Sequence, residues 1–222
     1  NLIIGQSGSG KTVLLKSILG LIKAERGNII FGDKLISNMK QKERAELRQD
    51  IGMVFQGSAL FDSINVEENV MFPMKMFTNK HHTEILDRAN VAIKRVNLIN
   101  SNHKMPAELS GGMKKRVAIA RAIIMNPKYL FCDEPNSGLD PKTSIIIDNL
   151  IKEITNEFNI TTVINSHDMN SVVEIGEKII FLEEGEKKWE GSNKEIFRTN
   201  NKSVSKFVNS SELFKKVRDV YL

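Results

Sequence analysis

Apolar residues in this chain fall in short runs and helical stripes that alternate along its length. Leu2–Ile4 is a three-residue apolar run ending in a glycine-rich turn, and positions 11–19 read as a helix stopped by Gly20. Residues 29–31 and Ile51–Val54 read as strands, with the charged stretch 41–48 between them as an exposed helix. Over 83–96, the residues Ile85, Leu86, Ala89, Ala92, Ile93 and Val96 recur on one helical face. Residues 129–132 form a continuous apolar run of buried-strand type. Ile146, Ile147, Leu150, Ile151, Ile154 and Phe158 mark a second amphipathic helix, and 161–164 is a β-branched strand. Residues 178–182 and 187–190 flank a polar turn at 183–186 and predict a hairpin. Strand and helix alternate, so the pattern predicts an α/β fold with a largely parallel sheet.

Composition narrows the class. At 222 residues, 41% hydrophobic and 27% charged, the chain can bury a sizeable core and does not read as disordered. No apolar run approaches the roughly 18 residues needed to span a bilayer. A single cysteine, Cys132, excludes an internal disulfide framework and a multi-cysteine zinc site. The net charge of +5 lies wholly in the tail: residues 187–222 hold nine Lys/Arg against four Asp/Glu, and residues 1–186 are neutral. A neutral body argues against nucleic acid as a partner. In the tail, Leu213, Phe214, Val217, Val220 and Tyr221 share one helical face, with Lys215, Lys216 and Arg218 elsewhere and Ser210 or Ser211 placed as cap. That face suits docking on the protein's own core, or contact with a partner subunit or an anionic membrane. The chain opens at Asn1 without a methionine or a secretory segment and reads as a fragment.

The chemistry begins at the first turn. Gly5-Gln6-Ser7-Gly8-Ser9-Gly10-Lys11-Thr12 satisfies G-x-x-x-x-G-K-[ST] at every fixed position, directly after a strand and opening a helix. The glycines let backbone N–H groups converge on a β-phosphate, and the helix N-terminus favours the anion. Lys11 suits the β- and γ-phosphates, and the Thr12 hydroxyl suits Mg²⁺. This loop alone says nucleoside triphosphate, which kinases, GTPases, motors and transport ATPases share. Asp133 and Glu134 then follow the 129–132 strand, at its carboxyl end, where α/β folds bind ligands. Asp133 suits the Mg²⁺ shell, and Glu134 suits a general base that polarises water. A small-molecule kinase has no need of that second carboxylate, so the pair favours hydrolysis.

A second anion-binding nest follows from Leu109-Ser110-Gly111-Gly112-Met113, where a serine and two glycines open the helix carrying residues 114–122. Here the chain resembles the ATP-binding cassette (ABC) family, whose signature is LSGG at a helix start. Further elements match in order: Gln56 the Q-loop glutamine, Ser137-Gly138-Leu139-Asp140 the D-loop, and His167 the H-loop histidine. The resemblance implies an α/β P-loop NTPase (RecA-like) nucleotide-binding domain with an inserted α-helical subdomain and its N-terminal strands missing. It implies a RecA-like core at 1–57 and 126–190, a helical subdomain at 58–125 and a basic helical extension at 191–222. ATP and Mg²⁺ are the implied cofactors. Gly5, Gln6, Ser7, Gly8, Ser9, Gly10, Lys11 and Thr12 would hold the nucleotide, with Ser110, Gly111, Gly112 and Asp140 contributing across a head-to-tail dimer. Thr12, Gln56 and Asp133 would hold the metal, and Glu134, His167, Lys11 and Gln56 would carry catalysis. The implied partners are a second ATP-binding subunit and membrane permease subunits, reached through residues 57–76. The implied location is peripheral, at the cytoplasmic face of the inner membrane. His81, His82 and His103 match nothing and are expected to be exposed, and Asn136 stands where the family usually has threonine.

The finer resemblance is to Mla-type ATPases, which energise phospholipid or other hydrophobic-substrate transport with an MCE-domain partner. It is carried by residues 52–63 and 66–70, by Met113-Lys114-Lys115-Arg116 and by Ser166-His167-Asp168-Met169. The alternative is an importer of a polar solute such as an amino acid. One cassette without sustained heptads between Thr12 and Asp133 does not support a ribosomal or repair ABC protein. Intact Lys11, Glu134 and His167 do not support a non-catalytic cassette.

Overall fold

The computed structural model describes residues 1–210 and Phe214. In chain order the elements are strand β1 (Leu2–Ile4), helix α1 (Lys11–Ile18), the short strands β2 (Ile30–Phe31) and β3 (Lys34–Leu35), helix α2 (Gln41–Gln49) and strand β4 (Ile51–Val54). Helices α3 (Val66–Phe77), α4 (His82–Arg95) and α5 (Gly111–Ile123) follow, then strand β5 (Tyr129–Asp133) and helix α6 (Pro141–Glu157). Strand β6 (Thr161–Ser166), helix α7 (Met169–Ile175), strands β7 (Ile179–Glu183) and β8 (Glu186–Gly191), and helix α8 (Lys202–Val208) come next. The described chain divides into two compact units, one of residues 1–25 with 163 onward and the other of residues 26–162.

In the first unit β1 is buried on both faces and pairs in parallel with β6 and β7. A strand covered on both sides tolerates only apolar residues, which is why Leu2–Ile4 reads as an unbroken run. β7 turns back into β8 as an antiparallel hairpin. The two residues between them, Glu184 and Gly185, have φ of +53° and +77°, the left-handed pair of a tight hairpin turn. Phe207 of α8 packs on Phe181 of β7 with ring centroids 5.3 Å apart. Phe214 is buried and stacks on Phe197. The rest of the expected tail face, Leu213, Val217, Val220 and Tyr221, lies outside the described residues. Ser210, expected as a cap at the start of the tail helix, donates its hydroxyl back to the Phe207 carbonyl at the end of α8.

In the second unit β4 and β5 are parallel, with Val54 beside Cys132. Helices α3, α4 and α5 pack around Val66, Val70, Met71, Ile85, Ala89, Ile93, Val117 and Ile119, all buried. Along α6 the buried stripe is Ile147, Leu150, Ile151 and Ile154. Ile146 and Phe158 are 41% and 43% exposed: Ile146 sits a helical step off the stripe, and Phe158 is the residue after the helix ends. α3 carries Pro73 in its interior, which hides it from a periodicity reading. Its start is nonetheless local chemistry. Asn65 accepts from the Glu68 amide at 2.9 Å while Glu68 accepts from the Asn65 amide, a capping box.

Candidate nucleotide site

The loop after β1 is built from the strand outward. Ile4 pairs with Ser166 on one side and Phe181 on the other, so Gly5 leaves the sheet between His167 and Leu182. A Cβ on Gly5 would lie 2.2 Å from the Leu182 carbonyl oxygen and 2.6 Å from Ser9 Oγ, so only glycine fits there. Gly8 and Gly10, at φ +82° and +99°, bend the loop, and nothing lies within 4 Å of where a Gly8 side chain would be. Lys11 is buried, and its Nζ donates to the Gly5 and Gln6 carbonyls at 2.9 and 3.0 Å. The ammonium therefore curls under its own loop. The hairpin turn closes the arrangement: the Gly185 amide donates to the Ser9 carbonyl at 3.0 Å. His167 is exposed one residue past β6, and Asp168 caps α7 by accepting from the Asn170 amide at 2.9 Å. Exposed backbone at Gly8, left-handed glycines and an ammonium held at the helix start form a donor set suited to phosphate oxygens.

In the second unit the parallel register sets Phe55 beside Asp133 and Gln56 beside Glu134 as the two strands end. Asp133 is buried. Gln56 Nε2 donates to Glu134 Oε2 at 3.0 Å and to Ser137 Oγ at 3.4 Å. Glu134 holds φ +46°, a conformation that non-glycine residues keep only where their surroundings impose it. Ser110 caps α5, accepting from the Met113 amide at 3.3 Å. Gly111 lies against the D-loop and Gly112 against α6: a Cβ added at each would meet Leu139 Cδ2 at 3.3 Å and Thr143 Cγ2 at 2.7 Å respectively. Asp140 caps α6 through the Thr143 amide at 3.0 Å, and hydrogen bonds from Thr143 hold its carboxyl below the usual aspartate range. The signature glycines and the D-loop therefore meet within this unit. A metal carried by nucleotide phosphates asks for one or two protein oxygens, and the Thr12 hydroxyl, Gln56 amide and Asp133 carboxylate are donors of that kind.

The family model for ABC transporters matches residues 1–137. The chain belongs to the ABC transporter family. This cassette is 39% identical to the methionine import ATP-binding protein MetN of Campylobacter jejuni over 226 residues, covering 95% of the chain and 67% of MetN. It is 40% identical to the probable ribonucleotide transport ATP-binding protein mkl of Mycobacterium tuberculosis over 170 residues, covering 77% of the chain and 47% of that relative. The cassette thus spans about half to two thirds of the length of these curated relatives. Among solved structures, cbiO1 from Clostridium perfringens, part of the ABC transporter complex cbiONQ, aligns over 99% of this chain and 85% of its own. The TM-score is 0.81 and the identity 33%. The cassette MJ0796, in a dimeric post-hydrolysis state bound to ADP and Pi, aligns over 86% of this chain and 84% of its own with a TM-score of 0.78 and 34% identity. The fold is the P-loop NTPase fold of ABC cassettes, a mixed α/β sheet with helices, as the sequence implies.

Three residues fall inside the matched motifs without a role of their own in the sequence reading. Lys115 is 4% exposed and its Nζ donates to the Gln56 carbonyl. Arg121 donates to the Ser58 and Ala59 carbonyls, each at 2.7 Å, and burial lowers its pKa. Asn69, fully buried, accepts from the Phe61 amide at 2.8 Å and donates to the Phe61, Ile64 and Asn65 carbonyls, stapling the loop before α3. Asn136 finds a partner that explains an amide there: its Nδ2 donates to both carboxylate oxygens of buried Asp148 at 3.4 and 3.2 Å. His81, His82 and His103 are exposed, and His81 caps α4. Among the described residues no helix is long and apolar enough to cross a membrane.

Proposed function

We propose that the chain is the ATP-hydrolysing subunit of an ABC importer that carries a polar solute such as an amino acid through a membrane permease. The observation that carries this reading is the Gln56–Glu134 pair, an amide donating to a carboxylate at the ends of two parallel strands, in an ABC chain with a complete phosphate loop. Gly5 to Thr12 would hold the phosphates, and Thr12, Gln56 and Asp133 are the residues that would hold Mg²⁺. Bound Mg²⁺·ATP supplies the phosphoryl group and a cation that offsets its developing charge. Glu134 takes the proton of the attacking water, its carboxylate kept in orientation by Gln56 Nε2. Lys11 and His167 donate to developing negative charge. Ser110 and the amides after it serve the nucleotide of a second, head-to-tail copy, and Asp140 orders the start of α6 beside them.

The permease partner docks on the second unit. Phe55, Phe61, Phe72, Pro73 and Phe77 line a cavity of about 440 Å³, and three of them fall in the segment 57–76 expected to transmit force. The cassette works peripherally, at the cytoplasmic face of the membrane. The polar-solute reading is supported by similarity to a methionine import protein. Met113, Lys114 and Lys115 favour a lipid cargo instead, with an MCE-domain partner. The hydrolytic reading is tested with Glu134→Gln, which is expected to bind ATP within about threefold of wild type and to lose at least ~100-fold in turnover. Wild-type turnover would remove Glu134 as base. Cargo is tested by mass spectrometry of material co-purifying with the cassette and its permease. An amino acid supports the proposal, and bound phospholipid overturns it in favour of lipid.

A further inference from the structure

We propose that Lys115 is a positioning residue of the hydrolytic pair, holding the Gln56 backbone so that the Gln56 amide meets Glu134. The proposal rests on the roles assigned above to Gln56 and Glu134. Lys115 lies in the second turn of α5, and its buried ammonium donates to the Gln56 carbonyl. From the same residue Nε2 reaches Glu134 Oε2 at 3.0 Å and Ser137 Oγ at 3.4 Å. One residue, through its backbone carbonyl and its side-chain amide, thus links the signature helix to the candidate base. Arg121, on the same helix, holds the carbonyls of Ser58 and Ala59, so α5 grips this loop at three points.

The loop needs that grip. Ser58 and Ala59 have φ of +64° and +48°, left-handed conformations that non-glycine residues retain only under outside constraint. Burial lowers the Lys115 pKa, and the Glu134 carboxylate is the largest influence opposing the shift, so the two charges sense each other. A methionine would fill the same space without desolvating a charge. Packing alone therefore does not account for an ammonium at this position.

The full chain, assembled with its membrane partner, is assayed for ATP hydrolysis as wild type, Lys115→Met, Lys115→Arg, Gln56→Ala and the double variant Gln56→Ala/Lys115→Met. Lys115→Met is expected to lower kcat about tenfold with KM for ATP within about twofold, and Lys115→Arg to recover most of the loss. In the Gln56→Ala background, Lys115→Met is expected to add nothing. Equal losses in both backgrounds, a loss carried by KM, or wild-type kcat in Lys115→Met would each overturn the proposal. Should Lys115→Met not fold, Lys115→Gln gives the same contrast, its shorter side chain falling short of the carbonyl. Glu134→Gln, run in parallel, separates the two readings. If it turns over normally, the hydrolytic assignment fails; if it is inactive while Lys115→Met is unaffected, only the positioning role fails.

Discussion

Gly5→Ala tests the claim that the phosphate loop is held by steric closeness rather than by backbone conformation alone. The new methyl carbon would stand 2.2 Å from the Leu182 carbonyl oxygen and 2.6 Å from Ser9 Oγ. Ordinary contact needs roughly 3.5 Å, so loop and strand must separate by about 1 Å. That displacement strains β7 where it feeds the hairpin, and it endangers the Gly185-to-Ser9 hydrogen bond. Overpacking of this kind costs ~1–3 kcal/mol, and a lost hydrogen bond adds ~1 kcal/mol. A total near 3 kcal/mol corresponds to a Tm lower by about 6–12 °C for a chain of this size. Gly8→Ala is the control: it shares a positive φ but meets nothing within 4 Å, so it should cost only ~1 kcal/mol. The assay is urea denaturation of both variants followed by fluorescence of a bound ATP analogue. Equal midpoints for Gly5→Ala and Gly8→Ala would show that φ, not the Leu182 carbonyl, makes glycine necessary.

Other expectations follow from single contacts. Gly112→Ala drives a methyl to 2.7 Å from Thr143 Cγ2 and should lower Tm by several degrees. Adding Thr143→Ser removes that atom and should restore more than half of the loss, and failure to do so would refute the contact. Arg121→Met leaves the Ser58 and Ala59 carbonyls without their donor, and should destabilise the chain by ~2–4 kcal/mol in urea melts. Burial pushes the Cys132 thiol well above its ordinary range, so it should resist alkylation until the protein unfolds. The unfolded thiol ionises near pH ~8.5 while the folded one stays neutral, so its contribution is intact below that pH and lost as pH rises. Wild-type stability should therefore fall above pH ~8.5 by up to ~1.4 kcal/mol per unit more steeply than that of Cys132→Ala.

The site was legible wherever its chemistry is local. The phosphate loop is a run of eight residues whose glycines, lysine and threonine act on one ligand group, so spacing alone reveals it. The same holds for Ser110 at the start of the signature helix, which accepts from an amide three residues on, whereas Asp140, read only as part of the D-loop, proves to cap α6 in the same way. The strands ending at Val54 and Cys132 were readable from apolar runs, the second proving one residue longer, and parallel pairing then brought Gln56 beside Glu134. By contrast, α3 was hidden by Pro73 and by apolar residues on more than one face. Ile146 and Phe158 were misplaced onto the buried stripe of α6 because hydrophobicity reports what can be buried, not which face meets a neighbour.

What the sequence determined by itself was the alternation of strand and helix, the phosphate loop, the paired carboxylates and the signature turn at the start of its helix. Each depends on interactions within about four residues or on a strand's own apolar run. Only the tertiary structure decided what holds them. Lys115 reaches Gln56 across 59 positions, and Arg121 reaches Ala59 and Ser58 across 62 and 63. Gly185, at a hairpin tip, seals the loop at Ser9. Such pairings leave no periodic trace, because the geometry that joins them exists only once the strands and helices have packed.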